Sequence, residues 1–230
     1  KYEYTYKMAN ELSLGVIVPF FNEEKFLEKS ISRLLMVEII DEIVLVDDCS
    51  TDKSYQIAKE IYSNNKKVKL TQTAINTGKG AAVKKGLDLI STTHVIVHDA
   101  DLEYFPDDIP EMFNQINPDK DCLVLGSRTI GSKERINLYF LTYFGNKVLT
   151  MLFSILNNKK LSDIASCYWL VNVESLKKIN LSEKGFAIEV EVLSKFIENK
   201  INIIEVPIKY HARSYEDGKK IKFKDGIKIL

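Results

Sequence analysis

The sequence predicts an α/β fold with a mostly parallel, Rossmann-like central sheet and helices on both faces. Short runs of aliphatic and β-branched residues alternate with segments of helical spacing through the first hundred residues, an order typical of parallel sheets. Polar residues follow the end of each run, where open α/β sheets bind their ligands. A length of 230 residues suits one large domain of this class.

In the first half of the chain, the pattern indicates four strands separated by three helices. Pro19 closes the first strand, and Ser50 or Thr51 is the expected N-cap of the second helix. The predicted strands are 14–19, 42–46, 68–71 and 94–98. The predicted helices run from 22–24 to Leu35, from Ser50 or Thr51 to Tyr62, and from the glycine-containing turn 76–80 to Leu89.

The second half of the chain is less regular, and it contains no internal repeat and no clear linker. Its longest predicted helix is rich in aromatic residues. The predicted helices are 106–116, 135–156 and a segment within 185–198, and the predicted strands are 122–126, 167–171 and 203–206. One domain over 14–230, preceded by an N-terminal extension over 1–13, is the simplest organisation.

The composition narrows the classes of partner. Thirty-two basic residues balance thirty-two acidic ones, which argues against nucleic-acid binding. Residues 209–230 hold six lysines and one arginine against three acidic residues, a local charge of +4 that favours phosphates or a membrane surface. Three cysteines without a pairing motif, no signal peptide and no apolar run of about 18 residues predict a cytoplasmic protein.

The stretch from His98 to Glu103 carries the strongest chemical signal. It follows the buried run 95–97, so Asp99 and Asp101 are expected at the carboxyl end of a strand, two residues apart and on one side. Adjacent carboxylates repel each other unless a cation lies between them. Mg²⁺ or Mn²⁺, bound by one or two carboxylates and a substrate diphosphate, fits this oxygen-only set of donors. The alternative is that one aspartate caps the following turn and the other is solvated.

Two common nucleotide-binding motifs are absent from the sequence. There is no GxGxxG, which argues against a dinucleotide oxidoreductase. There is no GxxxxGK[ST] either, because 78–80 lacks the upstream glycine and the hydroxyl residue. What remains is a site made of carboxylates, a bridging metal and a few backbone amides, which suits a nucleotide diphosphate.

Four motifs, in this order and spacing, resemble those of the family 2 glycosyltransferases, which have the GT-A fold. They are 18–23 (VPFFNE), 46–52 (VDDCSTD), 76–80 (NTGKG) and 99–103 (DADLE). Further motifs resemble the branch of that family that transfers sugars to polyprenol phosphates such as dolichol phosphate. These are 126–128, 161–166, 185–186 with Glu189 and Glu191, and 213–221. The resemblance extends over residues 14–226.

The resemblance implies roles for individual residues. It implies contacts to the nucleotide base and ribose from Pro19, Phe21, Glu23, Asp47, Asp48 and Lys79. It implies that the metal and diphosphate are bound by Asp99, Asp101 and Glu103, with Arg213 and Lys219 near the diphosphate and with Ser127 and Arg128 on the acceptor phosphate. It divides the domain into a nucleotide-binding half (14–105), an acceptor half (106–208) and a basic C-terminal segment (209–230).

Three positions depart from the family pattern. Cys49 replaces the usual glycine of an Asp-Asp-Gly-Ser turn. The pair Phe20-Phe21 replaces an aliphatic residue followed by tyrosine. The segment 166–169 (SCYW) replaces Ser-Gly-Phe-Arg, so an arginine expected near the acceptor is absent.

The implied reaction is an inverting, metal-dependent hexose transfer that needs Asp101. The donor is a nucleotide-diphosphate sugar of the GDP-mannose or UDP-glucose type, and the acceptor is a polyprenol or dolichol phosphate. A phosphate oxygen is already anionic and needs no base, and Arg128 would position it. A glycan hydroxyl, as in cell-surface polysaccharide synthesis, would need a carboxylate base, Asp163 first and Glu191 second. Either could instead be structural, Asp163 capping a turn and Glu191 solvated on a helix.

A lipid acceptor also implies a peripheral location at the cytoplasmic face of a membrane. The aromatic helix 135–156 and the basic stretch 209–228 are the candidate contact surfaces, although the helix could be an ordinary core helix. Two other classes stay open. A sugar-1-phosphate nucleotidyltransferase would share the sheet, but its GxGxR loop is missing here. A non-catalytic nucleotide- or lipid-binding homologue is disfavoured by the intact Asp99, Asp101 and Glu103.

Overall fold

The computed structural model describes residues 12–136 and 140–213, and the predictions for Lys219 and for most of segments 1–13 and 209–230 lie outside these ranges. The strands are β1 (Leu14–Phe20), β2 (Ile40–Asp47), β3 (Val68–Gln72), β4 (His94–Val97), β5 (Cys122–Ser127), β6 (Arg135–Ile136), β7 (Trp169–Asn172), β8 (Asn202–Pro207) and β9 (Tyr210–His211). The helices are α1 (Leu27–Leu35), α2 (Ser54–Tyr62), α3 (Lys79–Leu89), α4 (Ile109–Phe113), α5 (Phe140–Leu156), α6 (Val173–Lys178) and α7 (Ile188–Glu198).

Seven of these strands form one sheet in the order β3-β2-β1-β4-β7-β5-β8, and β6 pairs with β9 beside it. The pairs β1–β2, β1–β4, β2–β3 and β5–β8 are parallel. Strand β7 lies between β4 and β5 and is antiparallel to both. The predicted α/β class with a mostly parallel central sheet is therefore confirmed.

Side chains from each central strand enter two separate cores, one on each face of the sheet. Leu45 of β2 belongs to the core that contains the apolar residues of α1, α2 and α4. Its neighbours Val44 and Val46 belong to the core that contains those of α3, α6 and α7. This alternation is the two-residue period of a strand whose faces are both covered. Helices therefore lie on both faces of the sheet, as predicted.

Four helix predictions need correction. The first helix, predicted from 22–24, begins at Leu27 after a turn over 24–26. The helix predicted over 135–156 does not include Arg135 and Ile136, which pair with β9, and it is described as a helix over Phe140–Leu156. The helix predicted over 106–116 is a 3₁₀ turn, Pro106–Asp108, followed by the short α4. Helix α2 begins at Ser54, and neither predicted N-cap residue caps it: the Ser50 hydroxyl donates to the Asp47 carboxylate and the Thr51 hydroxyl donates to Asn22 Oδ1. Within the described ranges, no helix has both the length and the apolar character needed to cross a bilayer.

Helix α3 lies very close to the sheet at Gly86. A Cβ atom at this position would lie 2.6 Å from Ile17 Cγ2 and 3.2 Å from Val46 Cγ2. Ile17 is fully buried, so its side chain has little room to move aside. The missing side chain of Gly86 therefore lets α3 pack closely on β1 and β2, and α3 carries Lys79 in its first turn.

The substitution Gly86→Ala is expected to destabilise the protein by about 1–3 kcal/mol, because the added methyl group overpacks this contact. The matched control is Gly145→Ala, also inside a helix, where nothing lies within 4 Å of the Cβ position. The control should be neutral or stabilise by up to about 1 kcal/mol. Urea unfolding measures both effects, and equal midpoints for the two variants would contradict the close packing.

Candidate functional site

The carboxyl ends of β1, β2 and β4 meet at one edge of the sheet because the three strands run in the same direction. Glu23 follows β1, Asp47 ends β2, and Asp99 and Asp101 follow β4. The prediction placed both aspartates at the end of a strand, two residues apart and on one side. Strand β4 ends at Val97, so they lie in the loop that follows it instead. They still reach a shared cleft, because each contacts a cationic side chain there.

Asp99 binds Lys79 at the start of α3. The Lys79 ammonium lies 2.7 Å from Asp99 Oδ1 and 2.9 Å from Oδ2, and 2.6 Å from Glu189 Oε1 in the first turn of α7. Burial opposes the charged forms of all three groups. Lys79 nevertheless lowers the pKa of Asp99, and both carboxylates hold the pKa of Lys79 well above its usual value. Burial raises the pKa of Glu189 despite the opposing charge of Lys79.

Asp101 lies beside a second cationic side chain, Arg213, which follows β9. Arg213 Nη2 is 3.8 Å from Asp101 Oδ2, and Arg213 Nη1 donates to Glu23 Oε2 at 2.8 Å. Glu103 accepts hydrogen bonds from the Tyr210 hydroxyl and from the Arg213 backbone N–H, each at 2.7 Å. The loop that carries both aspartates is thus tied to β9 and to the residues after β1.

Negative charge is crowded around Asp101. Burial, together with the charges of Glu103 and Asp99, raises the pKa of Asp101 to about 8, although Arg213 acts in the opposite direction. A carboxyl group with this pKa is stabilised in its neutral form until a cation offsets the neighbouring charges. The electrostatics of the cleft therefore favour a bound cation next to Asp101.

The donor atoms suit a hard divalent cation only in part. Asp99 and Asp101 supply carboxylate oxygens at the cleft, with side chains 25% and 19% exposed, which is the donor type that Mg²⁺ and Mn²⁺ prefer. Glu103, the third predicted ligand, uses both oxygens for Tyr210 and Arg213. The described residues contain no group of three or more potential ligands already arranged for a metal. The two aspartates therefore fit a cation whose remaining ligands come from substrate and water.

The two aspartates at the end of β2 bind to the protein itself. Asp47 is fully buried and accepts hydrogen bonds from Ser50 and from the Gln72 amide. Asp48 accepts from the backbone N–H groups of Thr77 and Gly78, at 3.1 and 2.6 Å. Asp48 therefore fixes the glycine turn that carries Lys79. Pro19 is buried within β1 and Phe21 is half-buried just after it.

The predicted acceptor residues Ser127 and Arg128 and the predicted base Asp163 are all buried and bind protein groups. Arg128 Nε and Nη2 donate to the two oxygens of Asp163, each at 2.7 Å, and the Arg128 backbone N–H donates to the same carboxylate at 3.0 Å. The Ser127 hydroxyl is buried and lies 2.6 Å from that of Ser162. Burial raises and Arg128 lowers the pKa of Asp163, with a net decrease. This arrangement weakens Asp163 as a base and occupies the bidentate face of Arg128.

Glu191, the second predicted base, forms hydrogen bonds to the loop that precedes α7. Its carboxylate accepts hydrogen bonds from the backbone N–H groups of Ser182 and Glu183, at 2.7 and 2.9 Å, and from the Ser182 hydroxyl. Burial opposes its charge, but these hydrogen bonds and Lys195 lower the pKa of Glu191. Its partners identify it as an anchor of the loop before α7.

Two residues of the cleft received no role in the sequence analysis. Glu189 belongs to one of the motifs of the resemblance, and its burial beside Lys79 depends on a contact between α7 and α3 that no local pattern indicates. Tyr210 binds Glu103 from a distance of 107 residues, and no local pattern indicates this contact. The departure at Cys49 keeps the turn geometry of glycine, with φ of 62°. Trp169 is fully buried in β7, so that position faces the core.

The fold is that of a glycosyltransferase of the GT-A class. The fold matches glucosyl-3-phosphoglycerate synthase from Mycobacterium tuberculosis, solved with Mn²⁺ and UDP-glucose, with a TM-score of 0.74 at 16% identity over 98% of this chain and 77% of that one. The family model of glycosyl transferase family 2 matches residues 15–180, and the chain belongs to this family. The predicted family and fold are thus confirmed.

Relatives of known name place the chain in the polyprenol-phosphate branch, as predicted. It is 30% identical to the UDP-N-acetylglucosamine–dolichyl-phosphate N-acetylglucosaminyltransferase of Methanococcus voltae, over 97% of this chain and 95% of that protein. It is 28% identical to the dolichol-phosphate mannosyltransferase of Pyrococcus furiosus, over 90% of this chain. The aligned region is 59% of the length of the Pyrococcus enzyme.

Proposed function

We propose that this protein transfers a hexose from a nucleotide-diphosphate sugar to a polyprenol or dolichol phosphate, with Mg²⁺ or Mn²⁺ held by Asp99 and Asp101. The charge of the cleft carries this proposal. Among the described residues, four carboxylates there form ion pairs with two cationic side chains, and a fifth, that of Glu103, accepts a hydrogen bond from the Arg213 backbone N–H. The carboxylates are those of Glu23, Asp99, Asp101, Glu103 and Glu189, and the cationic side chains are those of Lys79 and Arg213. A nucleotide diphosphate is an anion, so it needs a cation to enter such a cleft.

On the donor side, the chain's own residues bind and orient the nucleotide sugar. Pro19 and Phe21 lie at the end of β1, and we propose that they line the nucleotide base. We propose that Asp48 contributes by fixing the glycine turn beside them, in addition to any contact with the base. Lys79 acts on Asp99 in our proposal, because its ammonium group lies on that carboxylate. Arg213 adds positive charge next to Asp101, where the diphosphate would lie.

The reaction forms one bond and breaks one. An acceptor phosphate oxygen attacks the anomeric carbon, and the bond from that carbon to the diphosphate breaks with its electron pair on the leaving oxygen. Attack on the opposite face inverts the configuration. Held by Asp99 and Asp101, Mg²⁺ or Mn²⁺ would supply Lewis-acid stabilisation of the charge on the nucleoside diphosphate. Arg213 can add to that stabilisation from the protein.

The state of the two predicted bases favours a phosphate acceptor over a glycan hydroxyl. Asp163 is bound on both oxygens by Arg128, and Glu191 is bound by the backbone of the 182–183 loop. A hydroxyl acceptor needs a carboxylate within hydrogen-bond reach of its proton, whereas an anionic phosphate needs none. In this proposal Arg128 and Ser127 support the acceptor side from inside the protein and do not contact the acceptor directly, since both are buried.

We further propose that the protein works as a peripheral protein at the cytoplasmic face of a membrane. Helix α5 exposes three large apolar side chains near its C-terminal end, Met151, Ile155 and Leu156, at 55%, 68% and 78% exposure. The exposed Lys160 follows within one turn. Apolar side chains next to basic residues are the surface that anionic lipid interfaces bind.

The double substitution Met151→Ser/Ile155→Ser is expected to reduce flotation with anionic vesicles at low salt by several-fold, because it removes apolar contact with the lipid. Met36→Ser is the matched control, since Met36 is 81% exposed at the end of α1, on another helix. A control that loses as much binding as the double variant, or no flotation of the wild-type protein, would contradict this surface.

A thermal-shift screen followed by a transfer assay tests the proposed function. UDP, GDP and their sugars are added with and without Mn²⁺, and binding to the native state raises the melting temperature. We expect one nucleotide to stabilise the protein only when Mn²⁺ is present, and transfer to a short polyprenol phosphate from the matching sugar. Transfer to a glycan hydroxyl but not to the lipid phosphate would favour the alternative acceptor.

A further inference from the structure

We propose that Glu189 is a positioning residue that shares the charge of Lys79 and thereby leaves Asp99 able to bind the cation. The inference rests on the proposed function, since it concerns the metal held by Asp99 and Asp101. Glu189 lies in helix α7, more than 80 residues beyond the aspartate pair in the chain, and contacts Asp99 only through the ammonium group.

The Lys79 ammonium group occupies the oxygens of Asp99 that a metal ion would need. This group lies within hydrogen-bond distance of both oxygens of Asp99, at 2.7 and 2.9 Å, where it competes directly with a metal ion for the same donor atoms. Lys79 is 7% exposed, so water screens its charge only weakly. Paired with Asp99 alone, Lys79 would neutralise that carboxylate.

Glu189 binds Lys79 from the other side. Its Oε1 atom is 2.6 Å from the ammonium nitrogen, slightly closer than either oxygen of Asp99. Its Oε2 atom is fully buried and accepts no hydrogen bond within residues 12–136 and 140–213. Buried carboxylate oxygens are normally hydrogen-bonded, so this one is spare acceptor capacity next to a group with three N–H donors. Glu189 can therefore accept a second N–H of Lys79 when Asp99 takes a cation.

Backbone contacts hold the start of α3, which carries Lys79, against the loop before α7, which carries Glu189. The Ala81 N–H donates to the Lys184 carbonyl at 3.1 Å, so the start of α3 is bonded to the loop that leads into α7. A Cβ atom at Gly78 or Gly80 would lie 2.6 Å from the carbonyl oxygens of Lys184 and Glu183, respectively. Glycine at both positions allows the two segments to touch, and this contact holds Glu189 opposite Lys79.

Direct Mn²⁺ titration of the complete protein, followed by electron paramagnetic resonance of the free ion, tests the proposal without substrate. We expect Glu189→Gln to weaken Mn²⁺ binding about tenfold, within the usual range of coupling between neighbouring sites, because Lys79 then pairs with Asp99 alone. Lys79→Met should strengthen Mn²⁺ binding by a similar factor, since the competing charge is removed. Lys79→Arg keeps the charge and should stay near the wild-type affinity.

A double-mutant cycle separates charge sharing from simple long-range attraction. On the Lys79→Met background, Glu189→Gln should change Mn²⁺ affinity by less than about threefold, because no lysine remains to redirect. Glu198→Gln, at the exposed C-terminal end of the same helix, is the control for loss of one negative charge. If Lys79→Met alone leaves Glu189 buried and unpaired and fails to fold, the double variant is compared with Glu189→Gln instead, and it should bind Mn²⁺ more tightly because the competing lysine is absent.

The outcomes distinguish the two levels of the proposal. The role of Glu189 is supported if Lys79→Met raises the Mn²⁺ affinity, Glu189→Gln lowers it, and Glu189→Gln has little effect once Lys79 is methionine. Shifts in the same direction, or an equal Glu189→Gln effect in both backgrounds, overturn it while leaving the metal site intact. A wild-type protein that binds no Mn²⁺, alone or with nucleotide, overturns the proposed metal site itself.

Discussion

The substitution Asp101→Asn is expected to abolish Mn²⁺-dependent nucleotide binding and to lower sugar transfer by at least about a hundredfold. The reason is that Asp101 is one of the two partly exposed aspartates proposed to bind the cation, and removing a group that stabilises charge in the transition state typically costs this much. The thermal shift on adding Mn²⁺ with nucleotide, and the initial rate of transfer, measure the two effects.

The same substitution should raise the stability of the cation-free protein at pH 8. The folded-state pKa of Asp101 is raised to about 8, so its contribution to stability is present below the usual carboxylate pKa and is lost as the pH rises towards 8. Asparagine carries no charge and avoids that loss. Asp107→Asn, at the one exposed position of the 3₁₀ turn, is the control. An Asp101→Asn protein that keeps its Mn²⁺-dependent shift would show that the cation binds elsewhere.

The substitution Asp163→Ala is expected to destabilise the protein by about 3–5 kcal/mol, because it leaves the buried Arg128 guanidinium without its partner. The paired change Arg128→Met/Asp163→Leu should recover most of that loss, since it buries no charge. Urea unfolding of the three proteins measures the coupling. If the single and the paired variants unfold at the same midpoint, the ion pair does not control stability.

The pair also predicts a pH dependence. Because Arg128 lowers the folded-state pKa of Asp163, this carboxylate stabilises the protein above the ordinary carboxylate pKa and loses that contribution as the pH falls below it. The wild-type protein should therefore lose stability on acidification more steeply than the Arg128→Met/Asp163→Leu variant. Parallel curves for the two proteins below about pH 4 would contradict the assignment.

The strands and their polar ends were predictable because local pattern determines them. The predicted strand 14–19 is Leu14–Phe20 in the structure, and 42–46 is Ile40–Asp47. Buried strands of a parallel sheet are continuous apolar runs, and their ends are marked by the first polar residues. The helix predicted from residue 135 was wrong at its start, because a two-residue pairing with β9 overrides the helical pattern there.

The partners of the polar residues were much less predictable. Arg128 was predicted to bind the acceptor phosphate and Asp163 to act as a base, but they bind each other across 35 residues. Arg213 was placed near the diphosphate, and it also binds Glu23 across 190 residues. The same residue types bind anions and form buried ion pairs, and which of the two occurs depends on the tertiary arrangement. Local sequence contains no information on which charged group lies opposite.

The placement of β7 has a consequence for synthesis on the ribosome. Strands β1 to β4 form a contiguous set from the first part of the chain, but the edge of β4 is completed only by Trp169–Asn172. Until those residues emerge, a nascent chain with the first four strands has unpaired N–H and C=O groups along β4, which is the kind of edge that recruits other chains. A ribosome that pauses before residue 169 would therefore expose an aggregation-prone intermediate.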